Sequence, residues 1–433
     1  MFKWVGLVLL LGAVCAKHEI YEGYTVFEIS VKDAEEIQFI NSLESQFNLD
    51  VWSHSLPGRP GLVLIPGDKK ALIEETLALK GIEYKVEVEN VREQLELEDQ
   101  LLAKSKNKPH RSMKNGLPID TIYTYDEIDE YIEGLAKDHS DLVTLVNAGK
   151  TIEGRDIKYL KISTTNFEDK SKPIIFIESL LHAREWVGQP ATLTAIKKLI
   201  FDVTDSDALQ DFDWIILPIA NPDGFQATHE KDRYWRKNRA TGYMIGNFCS
   251  GVDLNRNFDI NWSQASSSLV CSETFHGSKP ASEPETKAIQ KIIDDNLDRM
   301  ELFIDIHSFG SLILYGYGNG TLSNNGLVVH MAGVEMGKAI DAVKESWNPN
   351  YTVGNVAMVL YAASGSSQDY AQSVGVPLSY TFELPARRNS GGTLAGFLVD
   401  DSFIEQAGYE TWQGILAGAR FARNNFRMRR GLY

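Results

Sequence analysis

The sequence predicts an α/β fold: a mixed, mostly parallel twisted sheet with helices on both faces, preceded by a small α+β unit with an antiparallel sheet and two helices. Three observations predict it. From about Ile119 onward, helical stretches alternate with apolar runs of strand length, the pattern of a parallel or mixed sheet. Residues 24–91 carry the order β-α-β-β-α-β by themselves. A charged stretch separates the two, opening as a helix at "REQLELEDQLLAK" and decaying into the basic, proline-containing "SKNKPHRSMKNG".

Each element has its own signal. In the small unit "YTVFEISV" alternates as a strand, and "DAEEIQFINSLESQF" has apolar residues at helical spacing behind Asp33 as N-cap. "LDVWS" is a short strand, and "GLVLIPG" is a buried strand stopped by proline and glycine. "KKALIEETLALKG" is a helix ended by Gly81, and "YKVEVENV" alternates again. In the larger unit "TYDEIDEYIEGLAKDH" reads as a helix. "LVTLVNAG", "IKYLKIST", "PIIFIESL", "DWIILPIA", "MELFIDIHSF" and "LSYTFELP" read as strands. The final "RFARNNFRMRRGLY" is expected to be a basic amphipathic helix and tail, solvated at the surface. No internal repeat or low-complexity segment is present.

Composition narrows the function classes. The 433 residues are 43% hydrophobic and 24% charged, enough apolar material for more than one core. A net charge of −16 and a pI near 5.1 argue against nucleic acid as the main partner. The N-terminus, "MFKWVGLVLLLGAVCA", has a positive residue and then an apolar run too short to span a bilayer, ending in small residues. This is a secretory signal pattern with cleavage after Ala16, so the mature protein is expected to be exported and soluble, with no membrane anchor. Of three cysteines, Cys15 leaves with the signal. The remaining pair, Cys249 and Cys271, suits a disulfide in an oxidising compartment, worth roughly 3 kcal/mol in the chain-entropy model. Asn261, Asn319 and Asn350 begin glycosylation sequons. Arg111, with Lys108 and Lys114 nearby, makes the linker a trypsin-type cleavage site.

Polar residues gather at the ends of the apolar strands. "PIIFIESL" delivers His182 and Glu185, "MELFIDIHSF" delivers His307, and "LSYTFELP" delivers Glu383. Strand ends converge on ligand sites in open α/β sheets. Two histidines and a carboxylate with an open fourth position form one of the standard catalytic zinc shells. By spacing alone, His307 also reads as a hydrogen-bonded core histidine, and the arginines nearby as surface ion pairs.

The ordered set "HAREW", "NPDGF", "YWRKNR", "VDLNRNFD", "DIHSFGSLILYGYG", "YAASGSSQDY" and "TFELP" resembles the motifs of the pancreatic-type zinc carboxypeptidases from about Tyr123 to Phe426, and the unit before it resembles that family's propeptide. The resemblance implies a signal peptide at 1–16, an activation domain with its connecting helix at 17–111 and a catalytic domain at 112–433. It implies one Zn2+ per chain on His182, Glu185 and His307. Glu383 would be the general base toward the attacking water. Arg239 would polarise the scissile carbonyl, and Asn255, Arg256 and Tyr361 would hold the substrate's C-terminal carboxylate. Arg184 would lie further out in the cleft, and Asp253 would orient His182. Cys249–Cys271 is also the family's disulfide. The implied partners are peptides and proteins with a free C-terminus and a trypsin-like activating protease, and the chain is expected to act as a monomer. Residues 17–111 would cover the cleft until a cut near Arg111.

The specificity pocket departs from the family's patterns. Its floor is Gln368, where A-type enzymes carry an aliphatic residue and B-type enzymes an aspartate. Ser366 stands where a glycine or another small residue is usual, and by the resemblance Val356, Ala363, Gly318 and Thr381 would form the walls. A neutral floor cannot pair with a C-terminal Lys or Arg as a carboxylate would, so a broad A-type preference is expected, with polar or basic end groups as the alternative. Phe309 replaces a tyrosine common in A-type relatives. A zinc deacylase on a related scaffold, or a silent peptide-binding homologue, are the competing readings. The first would not need Asn255, Arg256 and Tyr361 together, and the second would lose a ligand or the base.

Overall fold

The computed structural model describes residues 17–106, 116–202, 204–243, 249–386 and 394–431. The expected export signal and Arg111 lie outside these residues.

The small unit runs β1 (Thr25–Ile29), α1 (Ala34–Phe47), β2 (Asp50–Ser53), β3 (Gly61–Ile65), α2 (Lys70–Lys80), β4 (Tyr84–Val88) and α3 (Val91–Lys106). Its antiparallel sheet has the order β2-β3-β1-β4. Asp33 caps α1 by accepting from the backbone N–H groups of Glu35 and Glu36, at 2.9 and 3.0 Å. Gly81 ends α2 at φ +67°, a left-handed conformation that glycine takes without penalty. Strand alternation divides the sheet's two faces. Phe27, Ile29, Val63 and Ile65 pack on Ile40, Leu43, Ile73 and Leu77 of the two helices. Val26, Leu62, Leu64 and Trp52 point the other way, onto Tyr234, Leu394, Phe397 and Leu398 of the larger unit. The small domain is therefore a half-sandwich whose second face is completed by the larger unit.

The larger unit runs α4 (Tyr125–Asp138), β5 (Val143–Lys150), β6 (Asp156–Ile162), β7 (Ile174–Ser179), α5 (Gly188–Ile200), α6 (Ser206–Gln210), β8 (Asp213–Leu217), α7 (Pro222–Glu230), α8 (Pro284–Asn296), β9 (Met300–Ser308), β10 (Leu312–Tyr315), α9 (Gly326–Asp341), β11 (Thr352–Asn355), α10 (Val356–Val359), α11 (Ser367–Val374), β12 (Leu378–Leu384) and α12 (Asp401–Arg430). The eight strands lie in the order β11-β10-β12-β9-β7-β8-β6-β5. The central four, β12-β9-β7-β8, are parallel, while β10/β12, β6/β8 and β5/β6 are antiparallel. Strands β10 and β11 were not anticipated as strands. Each is four residues long, too short for a clear period of two.

Alternation along the central strands separates packing from chemistry. Ile175, Ile177, Leu302, Ile304, Ile306, Tyr380 and Phe382 face α4, α5, α9 and α12. Ile174, Phe176 and Phe303 face α8 and α11. Continuing on that second face toward the strand ends come Glu178, Asp305, His307, Thr381 and Glu383. The expectation of a solvated C-terminal helix is corrected here. Ala419 and Ala422 of α12 are fully buried in the main core, Phe426 is fully buried too, and Glu301 engages Asn425 and Arg429. Arg420, Asn424 and the last turn from Arg427 to Arg430 are exposed, so the helix is amphipathic as expected, but its apolar side is core rather than surface. Cys249 and Cys271 are bonded. Asn319 and Asn350 are exposed and Asn261 is half-buried. No helix among the described residues is long and apolar enough to cross a membrane.

Candidate active site

His182 and Glu185 lie in the turn that follows β7, and His307 is the penultimate residue of β9. All three are buried, and their donor atoms face one point. His182 Nδ1 stands 2.8 Å from Glu185 Oε1, His307 Nδ1 2.8 Å from Glu185 Oε2, and the two Nδ1 atoms 3.0 Å apart. Tetrahedral ligands at about 2.0–2.2 Å from an ion stand about 3.3 Å from one another. Two imidazole nitrogens and a carboxylate oxygen at this spacing fit zinc.

The ring of His182 is aimed from behind by Asp253, whose Oδ1 lies 3.0 Å from Nε2. Asp253 also caps the short 3-10 turn Leu254–Arg256, accepting from Asn255 N–H at 3.0 Å. Its Oδ2 accepts from Arg236 Nη2 at 2.9 Å. Burial alone would raise this carboxyl, but Arg236, His182 and Arg256 outweigh it and hold it well below its ordinary value.

Arg239 is not in the cleft. Its guanidinium lies over the Trp235 ring at 4.3 Å and 3.7 Å from Glu153, among residues that do not line the pocket. Arg236 of the same "YWRKNR" segment lines the pocket instead, with Nη1 3.9 Å from Glu185 Oε1. The expected placement of Arg239 in the cleft is therefore corrected: the arginine of this segment that lines the pocket is Arg236. Loop geometry makes the difference: Trp235 N–H bonds back to Asp232 O, Ala183 N–H bonds to Arg236 O, and Arg239 leaves on the far side.

Arg256 and Asn255 follow Asp253 directly. Arg256 donates from Nη2 to the Tyr361 hydroxyl at 3.1 Å, so the three residues expected to hold a carboxylate share one wall. Gly365 permits this approach: it sits at φ +70°, and a Cβ there would stand 2.4 Å from Arg256 O. Glu383 pairs in register with His307 across β12 and β9, which puts it on the same wall as the ligands. Burial raises its carboxyl to about 8; His307 opposes the shift and Glu185 adds to it.

Leu314, Val356, Leu360, Ala363, Ser366, Gln368 and Thr381 line the inner end of the pocket; Leu314 and Leu360 were not anticipated. Gly318 backs Ala363, accepting from its N–H at 3.0 Å. Gln368 donates from Nε2 to Gly316 O at 2.6 Å and to Asp369 Oδ1 at 3.2 Å. Both partners are acceptors, so the amide orientation is fixed and Oε1 is the atom left for an incoming side chain. Burial pushes the Asp369 carboxyl behind it up to about 6. Ser366 caps α11, accepting from Asp369 N–H.

The small domain occupies the outer cleft. Val51, Trp52, Ser53 and His54 line the same pocket as the ligands. Arg184, buried at 1% exposure, pairs with Asp50 at 2.7 Å and lies over the Phe397 ring at 4.4 Å. Trp52 packs on Tyr234 and Phe397, and His54 on Tyr361. The connecting helix α3 adds a buried ion pair: Glu98 accepts from Arg233 Nε at 2.7 Å and Nη2 at 3.1 Å, both side chains 1% exposed. Arg233 also donates to Arg184 O and Phe397 O, and Val399 N–H donates to Glu98, so every strong group is satisfied.

Comparison with known proteins gives the following. The family model described as zinc carboxypeptidase matches residues 128–414, and that of the carboxypeptidase activation peptide matches residues 27–98. The chain is 42% identical over 430 residues to a carboxypeptidase B of Helicoverpa zea, covering 98% of this chain and all of that one. It is 33% identical to carboxypeptidase A1 of Bos taurus, covering 97% and 98%. The crystal structure of the carboxypeptidase A from Helicoverpa armigera superposes with a TM-score of 0.91 at 56% identity, covering 94% of this chain and 99% of that one.

Proposed function

The chain belongs to the zinc carboxypeptidase family, and from that premise we propose that it is an exported zymogen whose residues 112–433, once freed of residues 17–111, remove single amino acids from the C-termini of peptides. The observation that carries this reading is the grouping of Asn255, Arg256 and Tyr361 with His182 and Glu185 in the lining of one pocket, with His307 held against Glu185 and Asn255. A guanidinium recognises a carboxylate in fork geometry, and an internal peptide bond offers none. A deacylase would have no use for that group.

Zinc, held by His182, Glu185 and His307, supplies Lewis-acid polarisation at this point of the cleft. Arg256 and Asn255 grip the terminal carboxylate and Tyr361 closes over it, which sets the scissile carbonyl beside Arg236. Arg236 donates to the oxygen that gains charge as water attacks. Glu383 accepts a proton from the attacking water at its carboxylate and returns it to the leaving nitrogen. The small domain blocks this sequence: Asp50 neutralises Arg184 and Trp52–His54 fill the approach.

Secreted expression followed by limited trypsin treatment tests the zymogen. The exported protein is expected to begin at Lys17 and to be inactive on peptides. A cut at Arg111 and removal of the N-terminal part should release an activity that excess chelator abolishes. Equal activity before and after trypsin would remove the inhibitory role, and full activity at equilibrium with chelator would remove the metal.

For the end group, the fixed orientation of Gln368 supports a neutral, roomy pocket that takes apolar and uncharged polar residues. The second reading, basic end groups, is favoured by Asp369 directly behind the amide and by the name of the Helicoverpa zea relative. A panel of peptides differing only in the last residue separates them. Lys and Arg are expected to stay within about a hundredfold of Leu and Phe in kcat/KM, and Gln368→Asp should move the preference toward Lys and Arg. Wild-type discrimination for Lys or Arg beyond about a hundredfold, roughly 2.7 kcal/mol, would establish the second reading.

A further inference from the structure

We propose that Asp305 is a positioning residue which, with Ser367, aims the metal-facing nitrogen of His307 and links it to the residue that meets the substrate carboxylate. The metal half stands on the ligand geometry alone; the substrate half rests on the function proposed above.

Asp305 lies two residues before His307 on β9, so both side chains emerge on the same face. His307 Nε2 is 2.7 Å from Asp305 Oδ2. A carboxylate accepts only, so the ring hydrogen sits on Nε2 and the lone pair on Nδ1, the atom that faces Glu185 and His182. Asp253 does the same for His182 from a loop; Asp305 does it from within the strand that carries the ligand. The acidic residue is itself held: Ser367 Oγ donates to the same Oδ2 at 2.5 Å.

Ser367 then reaches the other half of the site. Its backbone N–H donates to Asn255 Oδ1 at 2.9 Å, which fixes that amide so that Nδ2 is its donor. Asn255 Nδ2 stands 3.2 Å from His307 Nε2, against the ring edge. Asp305 and Ser367 are fully buried, and His307 and Asn255 nearly so. Hydrogen bonds in such surroundings are strong, and no water competes for them. Ser367 also opens α11, the helix that carries Gln368. Zinc ligand, carboxylate-binding amide and pocket floor are thus tied to one aspartate.

The test is zinc competition on the full chain, with dipicolinate as the competing chelator and bound zinc measured at equilibrium. Asp305→Ala should hold zinc about 10–100-fold more weakly. Asp305→Asn, whose Oδ1 can still accept from Nε2, should recover most of the loss. Ser367→Ala should fall between wild type and Asp305→Ala. After trypsin cleavage, Asp305→Ala reloaded with excess zinc should show a raised KM through Asn255. Wild-type zinc affinity in Asp305→Ala, or an Asn variant as weak as Ala, overturns the proposal. If Asp305→Ala does not fold, unchanged affinity in Ser367→Ala overturns it instead. Zinc affinity is read without peptide hydrolysis, so a chain that bound zinc but cleaved no peptide would count against the proposed function and not against this assignment.

Discussion

Glu383→Gln, in the trypsin-cleaved chain, is expected to keep its zinc and lose peptide hydrolysis by about 10²–10⁴-fold, the usual scale of general acid–base catalysis. The substitution is nearly isosteric, and the three ligand side chains remain untouched. It should also cost little stability, because burial already drives the Glu383 carboxyl toward its neutral form. What the amide cannot do is take a proton. In the wild type the accepting form is the carboxylate, so kcat/KM should fall as pH drops through the Glu383 titration. That acid limb should be missing from any residual activity of the variant. Wild-type turnover in Glu383→Gln with full zinc content would remove the residue from the reaction.

Arg236→Ala is expected to cost about 10²–10³-fold in kcat, the loss typical when one fixed donor to a developing oxyanion is removed. Arg239→Ala should change kcat by no more than about threefold, as suits a partly exposed arginine with modest pairings. The pair of variants decides between two arginines three residues apart in one motif. Arg236 also pairs with Asp253, so its removal could act by loosening His182. Arg236→Lys separates the effects: a lysine can keep a charge near Asp253 but lacks the planar fork. Zinc retention with kcat still depressed would assign the loss to the oxyanion. A larger loss in Arg239→Ala than in Arg236→Ala would restore the reading from sequence.

The strands were legible because their apolar runs are long and bounded. The three ligands and the candidate base were legible because His182, Glu185, His307 and Glu383 stand at the ends of those runs. Arg236 was missed because a motif names a segment, and the turn through Asp232 and Trp235 decides which arginine faces inward. Asp305 had a usable signal, an acidic residue two positions before a ligand on the same strand face, in an otherwise apolar run. Glu98 and Arg233 had none, since 135 residues separate them and each is ordinary in its own segment. The depth of α12's burial was missed for a related reason: five arginines from Arg420 to Arg430 outweighed Ala422 and Phe426 in a reading by charge.

Arg184 answers to two tenants. In the full chain it is neutralised by Asp50 and stacked on Phe397, and on the proposed function, loss of the small domain would take Asp50 away and leave the guanidinium to arriving peptides. Any substitution there alters two equilibria together, the hold of the inhibitory domain and the welcome given to a substrate. A lineage drifting toward a new peptide diet could not tune this edge of the cleft in isolation. It would have to move Asp50 in step, or release an enzyme that is never properly silenced.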